Sequence, residues 1–303
     1  VSVHWVIEPG FFSSQPVHTA LVLGSVVAVV SGIVGVFTVL RAQSFAGHAL
    51  TDVSTAGGSG ALLVGLSPLL GFVGFGLLGA GAMDAIGVQR VRGRDLATGV
   101  VLGAATGLAA LFLYLDTTSG ATTGATQTIL FGSIFTIDRS TIPIVIAFSL
   151  VAVGLIGLLY RPLLLASTSA EIAASRGVPV RLMGLGFMAA MAIAVGLSAL
   201  AIGAILSTAL LIGPAATALR LTKRIGAAIG AAALIGVVET WLGVLLAYDS
   251  FDWGSGHAGL PVSSFIVLLT FAGYLTSGLP WARRLSGRRT ELVGAISGAA
   301  QRP

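Results

Sequence analysis

The chain has 303 residues, 55% of them hydrophobic and 9% charged, far below the roughly 25% charged content of an average soluble domain. That composition excludes a water-soluble globule of this size, and nothing in the +5 net charge is organised as a nucleic-acid module. With no cysteine there is no disulfide, thiolate metal site, Fe–S cluster or redox dithiol, so any metal chemistry falls to His, carboxylate or backbone oxygen.

The opening segment, Val1 to Pro16, contains Glu8, Pro9 and Gly10 and lacks a basic stretch before its apolar residues. It is expected to be an external segment lying along the membrane surface rather than a cleavable signal peptide, with Trp5, Phe11 and Phe12 at the interface. Apolar runs then recur near 17–39, 44–66, 68–87, 95–115, 142–160, 182–199, 200–218, 226–247 and 261–279. Each is of the order of the 20 residues that cross a hydrocarbon core. The fold class that follows is all-α: a polytopic transmembrane helical bundle with about nine spans. It has an external segment at 1–16, a transmembrane domain at 17–280 and a basic tail at 281–303.

Basic residues stay on the cytoplasmic side and so orient the chain. Threading nine spans puts fifteen of the sixteen on one side: Arg41, then Arg90, Arg92 and Arg94, then Arg161, Arg176 and Arg181, then Arg220, Lys223 and Arg224, and five tail arginines. Only Arg139 falls opposite, among Glu8, Asp116, Asp138, Asp249 and Asp252, which leaves that face negative and attractive to cations. The N-terminus is therefore expected outside and the C-terminus in the cytoplasm.

Two connections exceed a turn. In the outer one, the apolar piece Thr128 to Ile137 is too short to span and reads as a half-helix or re-entrant segment. The inner one begins at Arg161-Pro162. Its Thr168-Ser169-Ala170-Glu171 fits a capping box with Thr168 as cap and Glu171 at the third position, and Gly177 and Pro179 supply the stop. A short cytoplasmic helix is expected there. Gly213-Pro214 should kink or break the seventh span. The 42 glycines, many at small-xxx-small spacing, suit close helix packing.

Titratable residues inside spans are costly and mark candidate sites. His48 and Asp52 share one face of the second span at i, i+4, able to share a hydrogen bond or to contact one divalent cation. Glu239 lies 15 residues beyond Arg224, roughly 22 Å along a helix axis. One economical arrangement gathers His48, Asp52 and Glu239 around a transient cation, with ligands suited to manganese, iron(II) or zinc. Asp84 reads as an interfacial carboxylate paired with Arg90, and His257 as a loop residue. Lys223 is the only lysine and belongs to no Gly-Lys-Ser/Thr phosphate loop, and no HExxH or GxSxG motif occurs, so the chain reads as a conduit and not an enzyme.

Four stretches carry a family resemblance. They are Val39-Leu40-Arg41 with Ser44 to Asp52, Leu130-Phe131-Gly132-Ser133-Ile134, Glu171 to Pro179, and Ile202-Gly203-Ala204-Ile205-Leu206 with Leu211 to Thr217. From about residue 17 to 280 the chain resembles the manganese/zinc/iron class of ABC importer permeases. The family's second span usually has Asp and then His, whereas this chain has His48 and then Asp52. The resemblance implies a multi-pass permease of the plasma or inner membrane that carries manganese, zinc or iron and holds no permanent cofactor. Its implied partners are cytoplasmic ATPase subunits that use the ATP, an extracytoplasmic metal-binding protein, a second permease subunit forming a homodimer, and lipid, with no nucleic acid. It also makes the short inner helix a coupling helix, with Glu171, Ala174, Arg176 and Gly177 facing the ATPase. Two other readings stand beside this one: a permease for a metal chelate or organic cofactor, and a stand-alone carrier driven by an ion gradient.

Overall fold

The computed structural model describes residues 11–86, 94–119, 124–132, 134–252 and 259–279. Among them every regular element is helical: α1 (Gln15–Leu40), α2 (Ser44–Leu63), α3 (Pro68–Ile86), α4 (Arg94–Ser119), α5 (Ala125–Phe131), α6 (Ile142–Thr168), α7 (Ala170–Ser175), α8 (Val180–Ile202), α9 (Ala204–Leu221), α10 (Ile225–Asp249) and α11 (Val262–Ser277). The N-terminal segment before Phe11, the tail from residue 280, Arg90, Arg92 and His257 lie outside the described residues.

Seven of the helices are long and apolar enough to cross a membrane. The 20-residue α2 falls outside that group because His48, Asp52 and a run of hydroxyl side chains dilute its apolar content, and α11 has only 16 residues. Both nonetheless pack into the same bundle, α2 against α3, α4 and α8, and α11 against α9 and α10.

The bundle is organised around α1 and α8, the most enclosed spans, while α4 and α6 leave most of their surface outward. An apolar helix buried on all sides is the expected pattern for the centre of a membrane bundle. Phe37, Leu50, Phe187, Met188 and Met191 are among the large side chains that fill this centre. Glycine brings backbones together: a Cβ on Gly35 would lie 1.9 Å from the Leu211 carbonyl oxygen, so α1 and α9 cross at a distance no side chain allows.

Helix boundaries depart from the sequence expectations at four places. α6 does not stop at Arg161-Pro162 but runs through Pro162 to Thr168. Fully buried Leu163 anchors that last stretch in the core, which outweighs the single backbone bond that proline forfeits. The cap of α7 is Ser169, not Thr168: Ser169 is extended and its side chain accepts the Ile172 N–H, whereas the Thr168 hydroxyl donates back to Leu164. α9 continues through Pro214, and the discontinuity lies at Gly203, between α8 and α9, where φ is +87°. The half-helix α5 covers Ala125–Phe131 and ends at Gly132, φ +80°, whose backbone abuts Ile202 and Gly203 with no room for a Cβ.

Candidate metal station and coupling segment

His48 and Asp52 stand one turn apart on α2, each partly exposed on the single chain. Their faces meet different helices. Asp52 Oδ2 accepts a hydrogen bond from Thr106 of α4 at 2.5 Å. Thr106 Oγ1 is also 2.8 Å from the Leu102 carbonyl oxygen, and of the two acceptors for its single proton the carboxylate is the nearer and the stronger. Thr106 is half-way along α4, which sets this pair at the middle of a full-length span. On the other side, His48 Nδ1 is 3.2 Å from Thr208 Oγ1 of α9.

Hydroxyls continue the polar stripe along α2. Thr51, Thr55 and Ser59 each donate to the carbonyl four residues earlier, which satisfies them inside the helix. Thr51 Oγ1 is also 3.4 Å from Thr208 Oγ1 and 3.5 Å from Ser207 Oγ.

Glu239 occupies a separate place. It is 6% exposed on α10, and its Oε2 accepts from Thr270 of α11 at 2.6 Å. Two glycines make this possible. A Cβ on Gly213 would collide with Thr270, and one on Gly273 would press on Glu239 Oε1 at 3.1 Å. α9 packs against both α2 and α10. Among the described residues no three His, Asp or Glu side chains converge on one point. His48 and Asp52 stand one turn apart on α2 but meet different helices, α9 and α4, while Glu239 is paired with Thr270 on α11.

Asp84 is buried at the end of α3, and its partner is Arg181 at the start of α8, at 3.1 Å. The expected pairing with Arg90 falls on a residue outside the described set. Arg181 is the second residue of α8, six residues beyond the end of α7, so the pair ties α3 to the helix that follows α7.

α7 sits between α6 and α8. Fully buried Ala173 seats it, while Glu171, Ala174, Arg176 and Gly177 are exposed, with Ile172 51% exposed beside them. Its end is a Schellman turn: Val178 N–H donates to the Ala173 carbonyl and Gly177 N–H to the Ala174 carbonyl, both at 3.0 Å. Gly177 has φ +77°, a conformation that penalises any Cβ. The result is a short, outward knob at the bundle end where Arg41 reaches Ser167 at 3.5 Å.

Sequence reasoning missed Thr106, Thr208 and Thr270. Threonines abound in these spans, and one that bonds its own helix looks the same in sequence as one that reaches across to a neighbour.

The family model described as "ABC 3 transport family" matches residues 13–274. The chain is 28% identical over 278 residues to the manganese transport system membrane protein MntC of Halalkalibacterium halodurans, covering 92% of this chain and 94% of that one. It is 27% identical over 254 residues to the manganese import system permease protein ScaB of Streptococcus gordonii, covering 84% and 90%. Among solved structures, PsaBC from Streptococcus pneumoniae in complex with Fab superposes with a TM-score of 0.77 at 26% identity, covering 91% of this chain and 96% of that one.

Proposed function

The chain belongs to the ABC 3 transport family, and from that premise we propose that it is the permease subunit of an ATP-driven importer of a divalent transition metal, manganese in the first instance. It is a multi-pass protein of the cell membrane. The observation that carries the substrate reading is an imidazole and a carboxylate one turn apart on α2, His48 and Asp52, with Asp52 hydrogen-bonded to the middle of α4. A mixed nitrogen and oxygen donor set suits manganese, iron(II) or zinc over magnesium or calcium. Relatives whose names specify manganese favour that ion.

In this reading the N-terminus faces outside, and a second copy covers the α2/α4 face, where a partly exposed carboxylate would otherwise meet lipid. His48 and Asp52 form one station for the ion and Glu239 a second, reached in turn as the helices rearrange. Two ligands per station hold an ion weakly, as a conduit requires. Separate cytoplasmic ATPase subunits dock on α7 through Glu171, Ala174, Arg176 and Gly177, and an extracytoplasmic binding protein delivers the metal.

The test is uptake of manganese into proteoliposomes that contain this permease and its ATPase, with the binding protein supplied outside. Uptake that requires both ATP and the binding protein is expected. Uptake by the permease alone would replace this reading with a gradient-driven carrier.

A further inference from the structure

The contacts around His48 decide which ring nitrogen carries the proton. Nδ1 lies 3.2 Å from Thr208 Oγ1, Thr208 Oγ1 lies 3.4 Å from Thr51 Oγ1, and Thr51 Oγ1 donates to the Gly47 carbonyl at 3.1 Å. A hydroxyl has one proton to give. Thr51 gives its proton to the carbonyl, so the proton between the two threonines belongs to Thr208. The Thr208 oxygen is then left to accept, and the hydrogen that fills its contact with His48 is the one on Nδ1. The reverse direction would require Thr51 to abandon the carbonyl. One direction alone satisfies all three contacts, and it ends on a fixed backbone acceptor.

We propose that Thr208, backed by Thr51, is a positioning residue that holds His48 as the Nδ1–H tautomer and leaves the Nε2 lone pair free for a divalent transition metal. A second-shell partner of this kind fixes ring orientation as well as tautomer. Free neutral imidazole in water favours the opposite tautomer, so the arrangement is one the protein must impose. The inference rests on the reading of His48 and Asp52 as a metal station.

Two readouts test it, both on the full chain assembled with its ATPase in nanodiscs. The first is Mn(II) binding, followed by loss of the free-ion electron paramagnetic resonance signal, in the wild type, Thr208→Val, Thr208→Ser and Asp52→Asn. Thr208→Val is expected to weaken binding about 10–100-fold, and Thr208→Ser, which keeps the hydroxyl, to recover most of that loss. The second is the ¹⁵N resonance pattern of metal-free wild type, with His48 identified by its absence in His48→Asn; Nδ1–H is expected.

Unchanged Mn(II) affinity in Thr208→Val, or an Nε2–H tautomer at His48, overturns the inference and leaves the metal station standing provided Asp52→Asn abolishes binding. Unchanged affinity in Asp52→Asn overturns the station and the inference together. Should Thr208→Val fail to assemble, the wild-type tautomer decides.

Discussion

Glu239 Oε2 and Thr270 Oγ1 are 2.6 Å apart, joining α10 to α11 through a buried carboxyl group. A second hold on α11, the shortest of the long helices, comes from α9, where Arg220 donates to the Tyr274 carbonyl at 3.2 Å and lies 3.6 Å over the Tyr274 ring. Thr270→Val keeps the shape and removes the donor. A lost hydrogen bond to a buried acceptor of this kind costs about 1–3 kcal/mol, so a lower thermal midpoint in nanodiscs is expected. An unchanged midpoint would show that the bond contributes nothing to holding α11.

Glu239→Gln retains a hydrogen-bonding carbonyl toward Thr270 and removes the charge. Normal assembly with abolished metal uptake is expected, measured in proteoliposomes against binding-protein-dependent uptake by the wild type. Wild-type uptake would make Glu239 a structural group alone.

The proposed docking of an ATPase on α7 makes a different prediction. Gly177 sits at φ +77° with open space where a Cβ would go, so Gly177→Ala meets no clash and suffers only backbone strain, about 1 kcal/mol. The expected phenotype is continued ATP hydrolysis with reduced metal moved per ATP, and Arg176→Ala should behave alike. An unaltered transport-to-hydrolysis ratio in both variants would contradict docking at α7.

Arg181→Ala removes the cation beside Asp84, whose side chain is 4% exposed while that of Arg181 is 78% exposed. Exposure of the arginine weakens the pair, and a loss of about 1 kcal/mol is expected. Because the pair links α3 to the start of α8, next to α7, the swapped double variant Asp84→Arg/Arg181→Asp should recover less than the conservative Arg181→Lys. Equal unfolding midpoints for the wild type and Arg181→Ala would remove the pair from the stabilising contacts.

Glycine packing separates two substitutions that look alike in sequence. Gly35→Ala would place a Cβ 1.9 Å from the Leu211 carbonyl oxygen, whereas Gly103 has nothing within 4 Å. The first should cost at least the 1–3 kcal/mol typical of overpacking, and the second should be neutral or stabilising by up to about 1 kcal/mol for the single chain. Thermal unfolding of the two variants side by side checks this. Equal midpoints would refute the α1–α9 crossing.

Hydropathy alone placed the long helices closely, because lipid demands about 20 apolar residues and the chain supplies little else in those stretches. The placement of His48 and Asp52 one turn apart on a single helix was equally legible, since it depends only on helix pitch. Contacts between distant segments were not. The threonines opposite His48, Asp52 and Glu239 lie 160, 54 and 31 residues away from them in sequence, and no local pattern marks them. Local rules also gave way where packing was stronger: Pro162 did not end α6 because Leu163 is locked in the core, and the adjacent Ser169 took the cap expected of Thr168 because α6 had absorbed the latter.

The most direct test is elemental analysis of whole cells for manganese, iron and zinc, with the permease, its ATPase and its binding protein expressed together and compared with an Asp52→Asn version. Selective accumulation of manganese that disappears in the variant is expected. No metal-specific difference between the two, with assembly confirmed in both, would contradict it and reduce His48, Asp52 and Glu239 to polar groups that hold the bundle together.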